Sequence, residues 1–405
     1  MKNRAKTALI LVIFLLIQLF PWALVASPIF ILGAFDFDFD LLEEAINDLA
    51  ASQYPYTFEL NSNGTYTVTG IERTTVKDGQ KYQLIYESLI IPSTHEDKPV
   101  TAIGNGAFSG LKRLKSVIFP KTIVKIGVNA FHNCTSLESI ELPDAAWYIS
   151  DKAFEGCYNL KTVTMPENLR HIGNSAFADC SSLKTVTMPE RLNYLGERAF
   201  YNCQNLEGIT IPEGITEIGA ATFYWCFNIK ALTIPEGITS IGASAFTDCK
   251  LETVNFPDGL LRIEDSAFSG TKLTQLDLPD SVRTIGFHAF AMTPLTEFTS
   301  PASLEETGEA PLWNCYNLKS ATFNSGIQKI CRGMFYCCSS LTDLYLPADV
   351  EKIETYAFLG CTGLRRIHFA GSTSEWESIE KEDQWNSELK NCYVICTNGE
   401  INISE

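Results

Sequence analysis

The chain has 405 residues, 45% hydrophobic and 20% charged, which excludes both a disordered chain and a multi-span membrane protein. Asp and Glu number 48 against 31 Lys and Arg, a formal charge of −17. That sign argues against nucleic acid, which needs basic surface to neutralise phosphates, and against adsorption to anionic lipid.

The N-terminus, MKNRAKTALILVIFLLIQLFPWALVAS, reads as an export signal over residues 1–27. Lys2, Arg4 and Lys6 form the basic region, Ala8 to Phe20 the apolar core, and Ala23, Ala26 and Ser27 the small-residue end. Removing it takes away three positive charges and no negative ones, moving −17 to about −20. No charge occurs from Thr7 to Phe35, a stretch that also spans a bilayer. An uncleaved N-terminal membrane tether therefore stays open beside cleavage, and either reading exports the remainder. Residues 28–52 fit no later pattern and read as a linker, or as a short amphipathic helix from Leu41 to Leu49. Within them Asp36, Asp38 and Asp40 imitate the start of a calcium loop. Leu41 stands where the loop needs glycine and Asn47 where it needs glutamate, so no metal site is expected.

Residues 53–100 read as a β-rich N-terminal cap, with the NSNG of FELNSNGTYTVTG turning a hairpin. From 101 to 370 a repeat takes over. Motifs such as IGNGAF, IGVNAF and IGNSAF end at Phe108, Phe131, Phe154, Phe177, Phe200, Phe223, Phe246, Phe268, Phe290, Phe335 and Phe358. Leu312 of TGEAPL fills the one gap, giving twelve units spaced by 22 or 23 residues. In Leu183-Lys-Thr-Val-Thr-Met-Pro189, Val186 and Met188 alternate with Thr185 and Thr187, which predicts a short half-buried strand ended by proline. Ala176, Phe177, Cys180 and Leu183 stand three to four apart and predict a short helical turn with one inward face. Gly173 suits a tight bend or a close approach of neighbouring coils. Residues 371–405 form the C-terminal cap. They end at INISE without a sorting motif, so attachment is expected to be N-terminal or non-covalent.

The L-x-x-V-x-M strand, the proline after it, the I-G-x-x-A-F core and the recurring cysteine resemble the BspA-like leucine-rich repeat family of surface and secreted proteins. The resemblance covers roughly Phe58 to Thr397. It implies an α/β repeat solenoid, right-handed, of about twelve coils with capped ends. A parallel β-sheet would line the concave side and short helical turns the other. At about 4.8 Å per strand the stack would run to roughly 55 Å on its tight side.

Nine cysteines, Cys134, Cys157, Cys180, Cys203, Cys226, Cys249, Cys315, Cys338 and Cys361, share one repeat position. Stacked Cα atoms about 5 Å apart are within disulfide range, so distance alone does not exclude pairing. Leu111, Thr271 and Thr293 keep the frame without cysteine, and the family pattern requires no partners. Both points favour an inward ladder of free thiols. Off the ladder, local pairs Cys331–Cys337 and Cys392–Cys396 are compatible with export. GNGAFSG, from Gly104 to Gly110, imitates a nucleotide loop with the wrong spacing and is repeat core. The five histidines, His95, His132, His171, His288 and His368, fall at unrelated repeat positions, and no catalytic motif is present. No enzyme, cofactor or metal is expected.

Outward strand positions are Thr162, Thr164, Thr185, Thr187, Thr210, Thr233 and Thr253; β-propensity explains this composition, and the other reading is a flat small-polar face that docks a partner through Thr185, Thr187, Thr210 and Thr233. Further on come Gln275 with Asp277, Glu297 with Thr299, Asp343 with Tyr345, and Arg366 with His368. This more varied end supplies the better contact candidates, Tyr345, Arg366 and His368. Tyr224, Trp225 and Phe227, beside Tyr201, are either an exposed contact patch or packing between coils, as are Trp147 and Tyr148, expected on an outward turn. The expected function is non-enzymatic recognition. The resemblance implies an extracellular protein or cell-surface ligand and adhesion. A ligand-free envelope spacer is the rival reading, and an exported polymer hydrolase is remote because no constellation supports it.

Overall fold

The computed structural model describes residues 54–77 and 80–403. The expected signal, the linker and its short helix, and the DFDFD run lie outside the described residues. Two compact units are present, one up to Arg191 and one from Leu192 onward, so their boundary falls inside the stretch expected as one solenoid. The fold is a β-solenoid of about thirteen coils of about 23 residues with parallel sheets.

Coils carry two short strands where one was expected. In the first unit, Ser139–Glu141, Thr162–Thr164 and Thr185–Thr187 pair in parallel, with Ile140, Val163 and Val186 turned inward. This is the predicted strand. The second stack was not predicted. Lys125–Ile126, Tyr148–Ile149 and His171–Ile172 lie side by side, immediately before the repeat's glycine position. Two residues are too few for alternation to show in sequence. Tyr148 therefore sits on a strand and not on the expected turn.

The helical turns expected on the other side are absent among the described residues, where the sole helix is Thr373–Ser378. The A-F-x-x-C segments are stacked β-turns with left-handed corners, as at Asn129 (φ 54°) and Asn133 (φ 58°). The reason is in the amide accounting. His132 and Cys134 donate within their coil, to Asn129 and Phe131, while Asn129, Phe131 and Asn133 donate to Asp151, Ala153 and Glu155 of the next. A continuous helix would spend every amide internally and leave the coils unjoined.

In the second unit the corresponding two-residue strands run from Glu217–Ile218 to Glu306–Thr307 and from Lys329–Ile330 to Glu380–Lys381. The wider stack is interrupted. Ala231–Thr233 pairs with Thr253–Asn255, then Gln275 and Asp277, expected on a strand, lie on none. Three successive coils there are 22 residues, each one residue shorter between the cysteine position and the following leucine: Cys249 and Leu251, Thr271 and Leu273, and Thr293 and Leu295 stand where Cys226 and Ile229 stand earlier. Pairing resumes at Glu297–Thr299 and continues through Ser320–Thr322, Asp343–Leu346, Arg366–Phe369 and Tyr393–Cys396.

The core is a column of parallel rings. Phe131 and Phe154 stack at 5.3 Å and 1°, Phe154 and Phe177 at 5.3 Å and 5°. In the second unit Phe223, Phe246, Phe268 and Phe290 continue likewise at 5.3–5.7 Å. Edge-on rings close the columns. Tyr56, on the hairpin strand Tyr56–Leu60, meets Phe108, and Trp385 meets Phe358. The NSNG turn forms as expected, Gly64 N–H donating to the Asn61 carbonyl.

Beside the rings run the nine ladder cysteines, all buried and none in a disulfide. Thiols donate one coil back: Cys157 to the Phe131 carbonyl, Cys180 to Phe154, Cys249 to Phe223 and Cys361 to Phe335, at 3.0–3.3 Å. Thr271 and Thr293 answer the same need with a hydroxyl on their own coil's Phe268 and Phe290 carbonyls. Burial pushes the thiols up, to about 12 at Cys134 and Cys226 and about 11 at Cys315, far from a reactive thiolate. The off-ladder pairs are not bonded. Cys331 is buried beside Thr307 while Cys337 occupies a left-handed corner, and Cys392 is buried while Cys396 is half-buried. Alkylation of the native protein without reductant should reach Cys337 and Cys396 at most. In denaturant, still without reductant, mass spectrometry should find all thirteen labelled.

Candidate recognition face

The sheet from Glu297–Thr299 to Tyr393–Cys396 sets outward residues in two columns. Register places Glu297, Ser320, Asp343, Arg366 and Tyr393 in one, and Thr299, Thr322, Tyr345, His368 and Ile395 in the other. Their alternating neighbours Phe298, Ala321, Leu344, Ile367 and Val394 are buried, which fixes the face each column shows.

The predicted candidates converge. Arg366 clamps Asp343 through Nε and Nη2, the latter at 3.0 Å, and the His368 Nε2 lies 3.3 Å from the same carboxylate. The guanidinium is the main cause holding the Asp343 carboxyl down at about 2, with the Thr342 hydroxyl and the His368 ring adding to it. The Tyr345 ring stacks on His368 at 4.4 Å and 8°. Asp343 is thus spent on fixing the two side chains that flank it. Tyr345 remains 41% exposed. Tyr345 and His368 also line a shallow open cleft of about 390 Å³, together with the buried Phe323, Leu346, Pro347 and Phe369 and with Asn324 and Ser325. Sequence reading missed Tyr393, 39% exposed beside Arg366. It lies past the last repeat, where the period no longer assigns its face.

Thr185, Thr187, Thr210 and Thr233 are exposed on their strands as predicted, but none lines the cleft beside Tyr345 and His368. Trp225 is both packed and exposed. Its indole N–H donates to Asp248 at 3.0 Å, its ring lies 4.9 Å from Tyr224, and 37% of it faces solvent. Tyr224 stacks in turn on Tyr201 at 5.2 Å, so this patch is a lateral ring stack. Trp147 is 46% exposed next to Tyr148, whose ring stacks on His171. Among the described residues no group of three or more His, Cys, Asp or Glu is placed to hold a metal ion, and no helix is long and apolar enough to cross a membrane.

Stacked coils, an internal phenylalanine column and a parallel sheet displaying side chains define a leucine-rich-repeat-like solenoid. The family model of the BspA-type leucine-rich repeat region matches residues 82–207, 147–274, 216–332 and 262–390. The chain belongs to that family. Among solved structures it is similar to a leucine-rich repeat protein from Bacteroides ovatus, with 29% identity over 84% of this chain and 89% of that one and a TM-score of 0.68. A leucine-rich cell surface protein from Faecalibacterium prausnitzii shares 29% identity over 80% and 96%, with a TM-score of 0.50. The pneumococcal vaccine antigen PcpA, 19% identical with a TM-score of 0.56 over 85% and 96%, shares the fold. No curated protein sequence matches the chain.

Proposed function

We propose that this is an exported, non-enzymatic recognition protein that docks an extracellular protein or cell-surface ligand on the face formed by Asp343, Tyr345, Arg366 and His368. The observation that carries this reading is the pre-set geometry of that face. Two neighbouring strands lock an arginine and a histidine onto one carboxylate, which leaves an exposed tyrosine fixed beside a shallow open cleft. Rigid aromatic and arginine anchors lose little entropy on binding, which is why they dominate interface energetics. The buried ladder thiols, raised far above neutrality, offer no nucleophile. The resemblance to a solved cell surface protein supports an external location.

The test is saturable binding to matrix proteins, mucin and whole cells by the wild type and by Tyr345→Ala and Arg366→Ala. Each substitution should weaken binding about tenfold or more while leaving the thermal transition in place. Loss of neither, with binding intact, removes the site from this face. No saturable binding to any of these favours the spacer.

A further inference from the structure

The N-terminal unit bears a projection that the solenoid does not use. Strands Thr74–Lys77 and Gln80–Gln83 pair antiparallel as an isolated two-stranded sheet, and among the described residues neither pairs with any other strand. All eight residues are exposed, with Val76 at 69% and Tyr82 at 48%, and Ile85 follows at 59%. Arg73 and Tyr86 anchor its base, donating to the Ser109 and Glu72 carbonyls. A two-stranded hairpin is marginal in water by itself, and a bare edge is a template for another strand.

We infer that this hairpin is a self-association arm, its Gln80–Gln83 edge pairing antiparallel with the same edge of a second copy. The register follows from the hairpin's own hydrogen bonds. Leu84 N–H donates to the Arg73 carbonyl, so pairs Arg73/Leu84, Thr75/Tyr82 and Lys77/Gln80 are bonded. The amides and carbonyls of Lys81 and Gln83 therefore point out of the free edge. A twofold axis at Lys81 would oppose two ammonium groups. An axis at Tyr82 opposes Tyr82 to the second copy's Tyr82, a favourable cross-strand pair, and bonds Lys81 to the second copy's Gln83. Charge agrees. Residues 72–83 hold Arg73, Lys77 and Lys81 against Glu72 and Asp78, a net +1, so the arm does not share the acidity of a chain of −17.

Sedimentation velocity of the full chain over a concentration series tests this. A concentration-dependent dimer is expected. Lys81→Pro removes an outward N–H that the hairpin itself does not use, deleting two bonds across the twofold axis. It should weaken the dimer roughly thirtyfold. Val76→Pro removes the equivalent outward N–H from the opposite edge and should leave the dimer unchanged. Circular dichroism should report the same fold for all three proteins. A monomer at every concentration overturns the arm, as does a dimer that Lys81→Pro leaves intact or that Val76→Pro weakens equally.

Discussion

Replacing Phe154 by alanine should lower the unfolding free energy by about 3–5 kcal/mol, as a shift in denaturant midpoint. The residue is fully buried, with parallel rings 5.3 Å away on both sides, so its removal opens a void that no neighbour can enter without leaving its own stack. In a stacked-coil protein the loss falls on the interfaces with adjacent coils. Hydrogen exchange should therefore accelerate most around Phe131 and Phe177. A uniform acceleration through both units would contradict the column as the carrier of coil coupling.

The second large effect comes from a single methyl group, and its sign depends on position. At Gly173 an added Cβ would sit 2.5 Å from the Asp151 amide nitrogen and 2.7 Å from the Ser150 carbonyl carbon, both backbone. Neither yields without separating the coils, so Gly173→Ala should destabilise by about 3 kcal/mol. At Gly208 the same Cβ meets nothing within 4 Å, and the residue lies in the exposed strand Gly208–Thr210. Gly208→Ala should instead stabilise by about 0.5–1 kcal/mol by narrowing the unfolded ensemble. Paired thermal melts decide between them. Equal effects at the two sites would show that glycine is kept for backbone freedom and not for coil approach.

The inward half of this protein was legible because burial repeats. Phe177, Cys180, Leu183 and Val186 each recur at one position, and each is buried. What the sequence obscured were features set between coils. Spacing of three to four residues in A-F-x-x-C-x-x-L fits a helix and equally a chain of β-turns. The difference lies in whether Phe131 N–H bonds inside its coil or to Ala153, which a one-dimensional pattern does not carry. The loss of pairing at Gln275 and Asp277 leaves no mark in the motif: their coil has the same two-residue step, Thr271 to Leu273, as the coils of Thr253–Asn255 and Glu297–Thr299, which do form strands. At the recognition face, the candidates Tyr345, Arg366 and His368 were visible as departures from threonine. That Arg366 and His368 meet on Asp343, with Tyr345 stacked on His368, needed the strand register.

The thiol contacts also bear on how such a chain can change length. Cys180 reaches back 26 residues to the Phe154 carbonyl, and Cys157 reaches back by the same count to Phe131. Excising residues 155–177, one whole period, would set Cys180 three places after Phe154 and return its thiol to the Phe131 carbonyl. The bonding scheme is thus blind to how many cassettes lie between the ends. Loss or duplication of such a 23-residue period would leave the thiol-to-carbonyl pattern of the flanking coils the same.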